Sequence, residues 1–182
     1  MVRGHEGNYV QDMQQFVDAA RRAVDEENWY AALALALTLP DIASKLEHPD
    51  LKGRARYVAW CDMYLTPKYT SPAGYGRASK TWMTGLDTYS LRCAVLHQGI
   101  DQVTENEVED RVRGFRFLAP RPGSRVHQNS TNGRLQLQID IFCLDICDAV
   151  DVWWIYSQEQ ADVADGVDRL MQIEPPAGAL YL

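Results

Sequence analysis

Between Trp29 and Leu39 the chain is apolar almost without a break, interrupted at Thr38 and stopped by Pro40. Read as a helix, Trp29-Tyr30-Ala31-Ala32-Leu33-Ala34-Leu35-Ala36-Leu37 is apolar nearly all round its axis. A helix with no polar face belongs at the centre of a bundle, with other helices around it. The run is far shorter than the ~20 residues a membrane crossing needs, so its cover is expected from the rest of this chain. Asn28 suits the N-cap. Pro40 lacks a backbone donor and crowds the preceding turn, which predicts a kink or a break there. Asp41 is then expected to cap the freed amides of a new turn, Ile42 to Glu47, ended by His48 and Pro49, with a functional role beside a buried kink as the alternative.

The covering helices follow from spacing. Val10, Met13, Phe16, Val17, Ala20 and Val24 keep a helical rhythm over about Tyr9 to Glu26. Its Arg21 and Arg22 read as part of a solvated face. Tyr57, Val58, Trp60, Cys61 and Tyr64 form the packing side of a helix over Leu51 to Tyr64. Lys52, Arg54 and Arg56 lie near its start, the wrong end for the helix dipole, so they are solvated or there for a partner. Trp82, Leu86, Tyr89, Cys93 and Leu96 recur in steps of three and four along Trp82 to Gly99, with Gly99 suited to the position past a helix end. A last long helix is expected from Asp140 to Gln160 and a short one from Asp162 to Met171.

Between these helices the period changes. Ile100 to Asp110 is polar and acidic, with Thr104 and Glu107 spaced as a capping box. Val112, Phe115, Phe117 and Leu118 suggest an extended piece, and Arg125 to Asn129 a second short strand. Asn132-Gly133 is a strong hairpin signal, followed by alternation at Leu135, Leu137 and Ile139. The expectation is a mainly α-helical single domain over 1–182, a helical bundle with a small antiparallel β-ribbon, Arg113 to Gln138, inserted before the last long helix.

The charge balance is acidic, 25 Asp and Glu against 18 Lys and Arg, net −7. That argues against holding long nucleic acid by charge alone, and leaves room for a local basic site. The start, Met1 to Asn8, is polar with no apolar core after it, which predicts a chain without a secretory leader, resident in the cytoplasm. Cys61, Cys93, Cys143 and Cys147 show no C-x-x-C spacing and read as reduced, buried thiols. Cys143 and Cys147 share a helix face but have no further ligands nearby, so no metal is expected. Asp145, Asp148 and Asp151 lie along one side of the last long helix, where paired carboxylates bind Mg²⁺ or simply face water. Gly74 followed by Ser79-Lys80-Thr81 imitates a phosphate loop but lacks its second glycine and its preceding strand. No cofactor is expected.

Two features remain that suggest chemistry. Thr66 to Thr81 is a Pro-, Gly- and Ser-containing loop carrying Lys68, Arg77 and Lys80 with Tyr69 and Tyr75 between them and no acid. Basic and aromatic residues together suit phosphate contact and base stacking, so Lys68, Tyr69, Arg77 and Lys80 are candidate RNA contacts; an ordinary surface loop is the alternative. The loop feeds into the helix bearing Arg92 and His97, which stand roughly 140° apart around the axis and flank its apolar stripe. Histidine moves protons near neutral pH, and arginine clamps a phosphate bidentately. Together they are sufficient for metal-free RNA cleavage, in which a base activates the 2′-hydroxyl and arginine neutralises the forming dianion. The plainer alternative has Arg92 bridging to an acid and His97 serving the helix dipole.

Arg-x-x-x-x-His near the end of a helix, in a small and mostly helical protein, resembles the HEPN superfamily. The resemblance covers this helix, with loose support from the helices before it. It implies a helical bundle that dimerises and a metal-independent endoribonuclease of a toxin–antitoxin or phage-defence system. It carries over catalytic roles to Arg92 and His97 and implies RNA, a second copy and an antitoxin or other protein as partners. The residue after the arginine is Cys93, where active members often have Asn, Asp or His. Some relatives with this bundle are noncatalytic binders of a nucleotide or a protein, which keeps a helical scaffold as the alternative function.

Overall fold

The structure, a computed structural model, describes residues 13–72, 78–96, 114–171 and 173. Helix α1 spans Gln14–Asp25, α2 Trp29–Glu47 and α3 Gly53–Tyr64. A 3-10 turn, Thr66–Tyr69, leads into β1, Thr70–Ser71, which pairs antiparallel with β2, Lys80–Thr81. Helix α4 spans Gly85–Leu96. Strands β3, Phe115–Leu118, β4, Asn129–Thr131, and β5, Arg134–Gln138, precede α5, Ile139–Ser157, and α6, Ala161–Val167. The chain is mainly α-helical with small β elements, as its periodicity predicts. Among the described residues no helix is long and apolar enough to cross a membrane.

Helix α2 is the centre of the bundle and touches α1, α3, α4, α5 and α6. Ala32, Leu33, Ala36, Leu37, Leu39, Pro40, Ala43 and Leu46 along it are buried. Trp60 and Tyr57 of α3, Phe142 and Trp153 of α5 and Tyr69 of the 3-10 turn fill the space around it. Asn28 caps α2 as expected, accepting from the Ala31 N–H at 3.3 Å. The proline forces no break, however: α2 runs through Pro40 to Glu47. Side chains serve the carbonyls of that turn. The Thr38 hydroxyl donates to the Leu35 carbonyl at 2.7 Å, and the buried Tyr57 hydroxyl donates to the Leu37 carbonyl at 3.1 Å. Burial on several sides outweighs the local cost of the proline, which is of order 3 kcal/mol. Asp41 is therefore inside a helix and does not begin one.

The antiparallel ribbon before the last long helix is present as β4 and β5, joined at Asn132 and Gly133. Both turn residues have positive φ, 53° and 75°, the geometry that an Asn-Gly pair adopts at low cost. Strand β3 adds to β5 in parallel, which an all-antiparallel ribbon does not include, and the order is β3-β5-β4. The second strand sits at Asn129–Thr131, later than Arg125 to Asn129, because strand pairing follows from the hairpin outward. Tyr9 to Asp12 of the first expected helix and Ile100 to Asp110 with its capping box lie outside the described residues.

Candidate anion-binding site around Arg92

Helix α4 starts later than its apolar stripe suggests, at Gly85 and not at Trp82. Thr84 and Asp87 form the start signal. The Thr84 N–H and hydroxyl donate to Asp87 Oδ2 at 2.9 and 2.7 Å, and the Asp87 N–H donates to Thr84 Oγ1 at 3.2 Å. This reciprocal arrangement satisfies donors that a helix N-terminus leaves open. Gly85 lies hard against α3: its N–H donates to Asp62 Oδ1 at 2.6 Å, and a β-carbon there would collide with the Val58 carbonyl oxygen. The stripe residues Tyr89 and Cys93 are buried, and Tyr89 packs edge-on to Tyr57 with ring centroids 5.5 Å apart.

That seating sets Arg92 against the middle of α2. Its Nε donates to Asp41 Oδ2 at 2.7 Å, with side-chain exposures of 14% and 23%. The guanidinium carbon lies 6.0 Å from the Tyr89 ring centroid, within cation–π reach. Burial alone would lower the Arg92 pKa, but the charge of Asp41 and the hydrogen bond to it raise it above the ordinary value. Arg92 thus carries its positive charge at every physiological pH. A single carboxylate holding the Nε edge also fixes the plane of the fork, which favours bidentate contact with a phosphate.

Arg92 and Asp41 line a cleft of about 350 Å³ together with Lys52, Gly53, Arg54, Arg56 and Tyr89. Four cations therefore share it with one carboxylate, on a chain whose net charge is −7. The cluster forms because α3 begins here, bringing residues 52, 54 and 56 around its first turn towards α4. Lys52 at the N-cap supplies no side-chain cap, so the first turn of α3 adds its own positive dipole end. Asp41 and the α3 basics are each visible in the sequence; their convergence with Arg92 depends on how α2, α3 and α4 pack.

The other expected contacts lie elsewhere. His97 and Arg77 are outside the described residues. Tyr69 is 0% exposed, so it cannot stack on a base; its hydroxyl donates to Asp145 Oδ2 at 3.0 Å. Lys68 Nζ lies 3.2 Å from Asp145 and 3.1 Å from Asp148. Lys80 is exposed, 3.4 Å above the Trp82 ring centroid. None of these three lines the cleft. The loop composition hides a 3-10 turn that dips Tyr69 into the core.

The carboxylates of α5 lie on a partly exposed face, where they are paired with cations. Arg21 Nη2 contacts Asp148 at 3.2 Å and Asp151 at 2.6 Å, and Lys68 takes Asp145 and Asp148. His127, with a side chain 3% exposed, places Nε2 3.5 Å from Asp145. Its Nδ1 accepts from the Gln138 N–H at 3.3 Å, which puts the ring proton of the neutral form on Nε2, beside the carboxylate. Burial works to raise the Asp145 pKa, but His127, Lys68 and Tyr69 together lower it below the ordinary value. Lys68 ends above its ordinary value: burial opposes the charge, and Asp148 and Asp145 outweigh it. This network ties the ribbon and the 3-10 turn to α5 and is structural. Among the described residues no cluster of three potential metal ligands occurs.

Comparison with protein-family models, with curated proteins and with solved structures finds no match to this chain.

Proposed function

We propose that this chain is a metal-independent endoribonuclease of the HEPN type, acting as a homodimer on RNA. Arg92 carries the proposal: a charged guanidinium, fixed along one edge by Asp41, at the wall of a cleft with three further cations. Arg92 clamps the scissile phosphate, and His97, directly after Leu96 at the end of α4, moves the proton. One histidine removes the 2′-hydroxyl proton as the 2′-oxygen bonds to phosphorus. The bond to the 5′-oxygen breaks, and that oxygen leaves with a proton from a second histidine. The products are a 2′,3′-cyclic phosphate and a 5′-hydroxyl. With one such histidine per chain, the acid–base pair comes from His97 of two copies. The test is cleavage of RNA in EDTA with analysis of the new ends. Cyclic phosphate ends, or the 3′-phosphates they hydrolyse to, that disappear in His97→Ala support the enzyme; 3′-hydroxyl with 5′-phosphate ends, or cleavage that requires a metal, contradict it.

The Arg92–Asp41 ion pair also favours a second reading, a noncatalytic helical scaffold that binds a nucleotide or a protein partner such as an antitoxin. There Arg92 would bridge α4 to α2, and its loss would lower stability with no RNA cleavage to lose.

A further inference from the structure

A second concavity adjoins the cleft. It is a groove of about 510 Å³ lined by Lys52, Arg54, Ala55, Val58, Ala59, Asp62 and Leu86. Lys52 and Arg54 line both. The two concavities therefore meet across the first turns of α3, one rich in cations and the other mostly apolar. Ala55 and Ala59 are exposed along the groove, and Val58 and Leu86 are half-buried, so a flat apolar face is open to a ligand. Arg56, which also lines the cleft, donates from Nη1 to the Leu51 carbonyl at 3.2 Å.

We infer that single-stranded RNA crosses the start of α3, with a phosphate between Lys52, Arg54, Arg56 and Arg92 and the adjoining nucleoside in the apolar groove beside Val58, Ala59 and Leu86. The inference rests on the ribonuclease reading for its choice of RNA, but it concerns binding and stands or falls separately from cleavage. It moves the strand away from the loop residues Lys68 and Tyr69, which are engaged with α5. Charge supplies affinity in the cleft, and burial of a base face supplies it in the groove. Asp62 also lines the groove, with its Oδ1 occupied by Gly85 N–H and the Thr66 hydroxyl, at 2.6 and 3.1 Å.

The experiment measures binding of a fluorescent 2′-O-methyl RNA hexamer, which cannot be cleaved, to the full chain by anisotropy. Three variants are compared with wild type: Lys52→Ala/Arg54→Ala, Ala59→Glu and Lys80→Ala. The first two are expected to weaken binding roughly tenfold or more, through lost phosphate contacts and through bulk and charge placed in the groove. Lys80→Ala is expected to stay within about twofold of wild type. Lys52 and Ala59 are exposed, and circular dichroism with Tm verifies the fold of each variant. Cleavage of unmodified RNA is assayed in parallel: binding that follows this pattern without cleavage removes the enzyme and keeps the strand path. Binding lost in Lys80→Ala but kept in the other two variants overturns the path. AMP binding as tightly as the hexamer, or a poly-glutamate peptide displacing the hexamer at equal concentration, overturns the assignment to an RNA strand.

Discussion

At the scale of single residues, Arg92 and Asp41 depend on each other. Asp41→Asn leaves a largely buried guanidinium without its counter-charge and is expected to cost about 1–3 kcal/mol, read from urea unfolding. A solvated cap at Asp41, as the sequence suggests, would cost far less, so a shift below a few tenths of a kcal/mol would count against the ion pair. Asp145 gives the pH dependence. Its folded pKa is depressed, so its contribution is present above the ordinary carboxylate value and is lost as pH falls through the folded value. Stability is therefore expected to drop on the acid side of about pH 4 in wild type. Asp145→Asn should flatten that limb while lowering stability at neutral pH. The cysteines are expected to be inert. All four are buried, and burial pushes Cys143 and Cys147 up to about 12, so they stay protonated at neutral pH. A thiol reagent should label them only in denaturant; rapid labelling of the native chain would contradict this packing.

At the scale of elements, the contact of α4 on α3 positions the site, and two glycines give a controlled comparison. Gly85→Ala drives a β-carbon into backbone, the Val58 carbonyl, so α4 has to shift and Arg92 with it. Gly166→Ala on α6 meets the Leu46 Cδ2 methyl at 2.5 Å, the end of a side chain that can turn. Gly85→Ala is expected to cost about 1–3 kcal/mol, and Gly166→Ala less, by thermal or urea unfolding. Equal costs would mean that α4 is not tightly seated. The start of α4 is legible in the sequence: Thr84-x-x-Asp87 is a capping signal, but the apolar stripe running back to Trp82 conceals it. The hairpin at Asn132-Gly133 is legible because only a few residue types take its backbone geometry. The continuity of α2 through Pro40 is not, because it is tertiary. Tyr57, seventeen residues on from Pro40, supplies a donor that no local rule anticipates.

At the scale of the molecule, an acidic chain keeps a local basic surface by bringing the start of α3 against Arg92 of α4. Periodicity shows each helix, but not which of their charged edges meet. Lys52, Arg54 and Arg56 are as visible in the sequence as Lys68 and Lys80, and only packing decides that the first three join Arg92 while Lys68 joins α5. The homodimer is a claim at this scale as well. If two copies complete one site with a His97 from each, adding excess His97→Ala protein should lower the cleavage by wild type, because a mixed dimer keeps only one of the two histidines. The most direct measurement is cleavage of a fluorogenic RNA in EDTA by wild type, Arg92→Ala and His97→Ala at matched folding. Cleavage by wild type that falls at least about a hundredfold in both variants is the result expected for a phosphate clamp and a proton carrier. Intact RNA with wild type, or unchanged cleavage in either variant, would contradict the proposed chemistry.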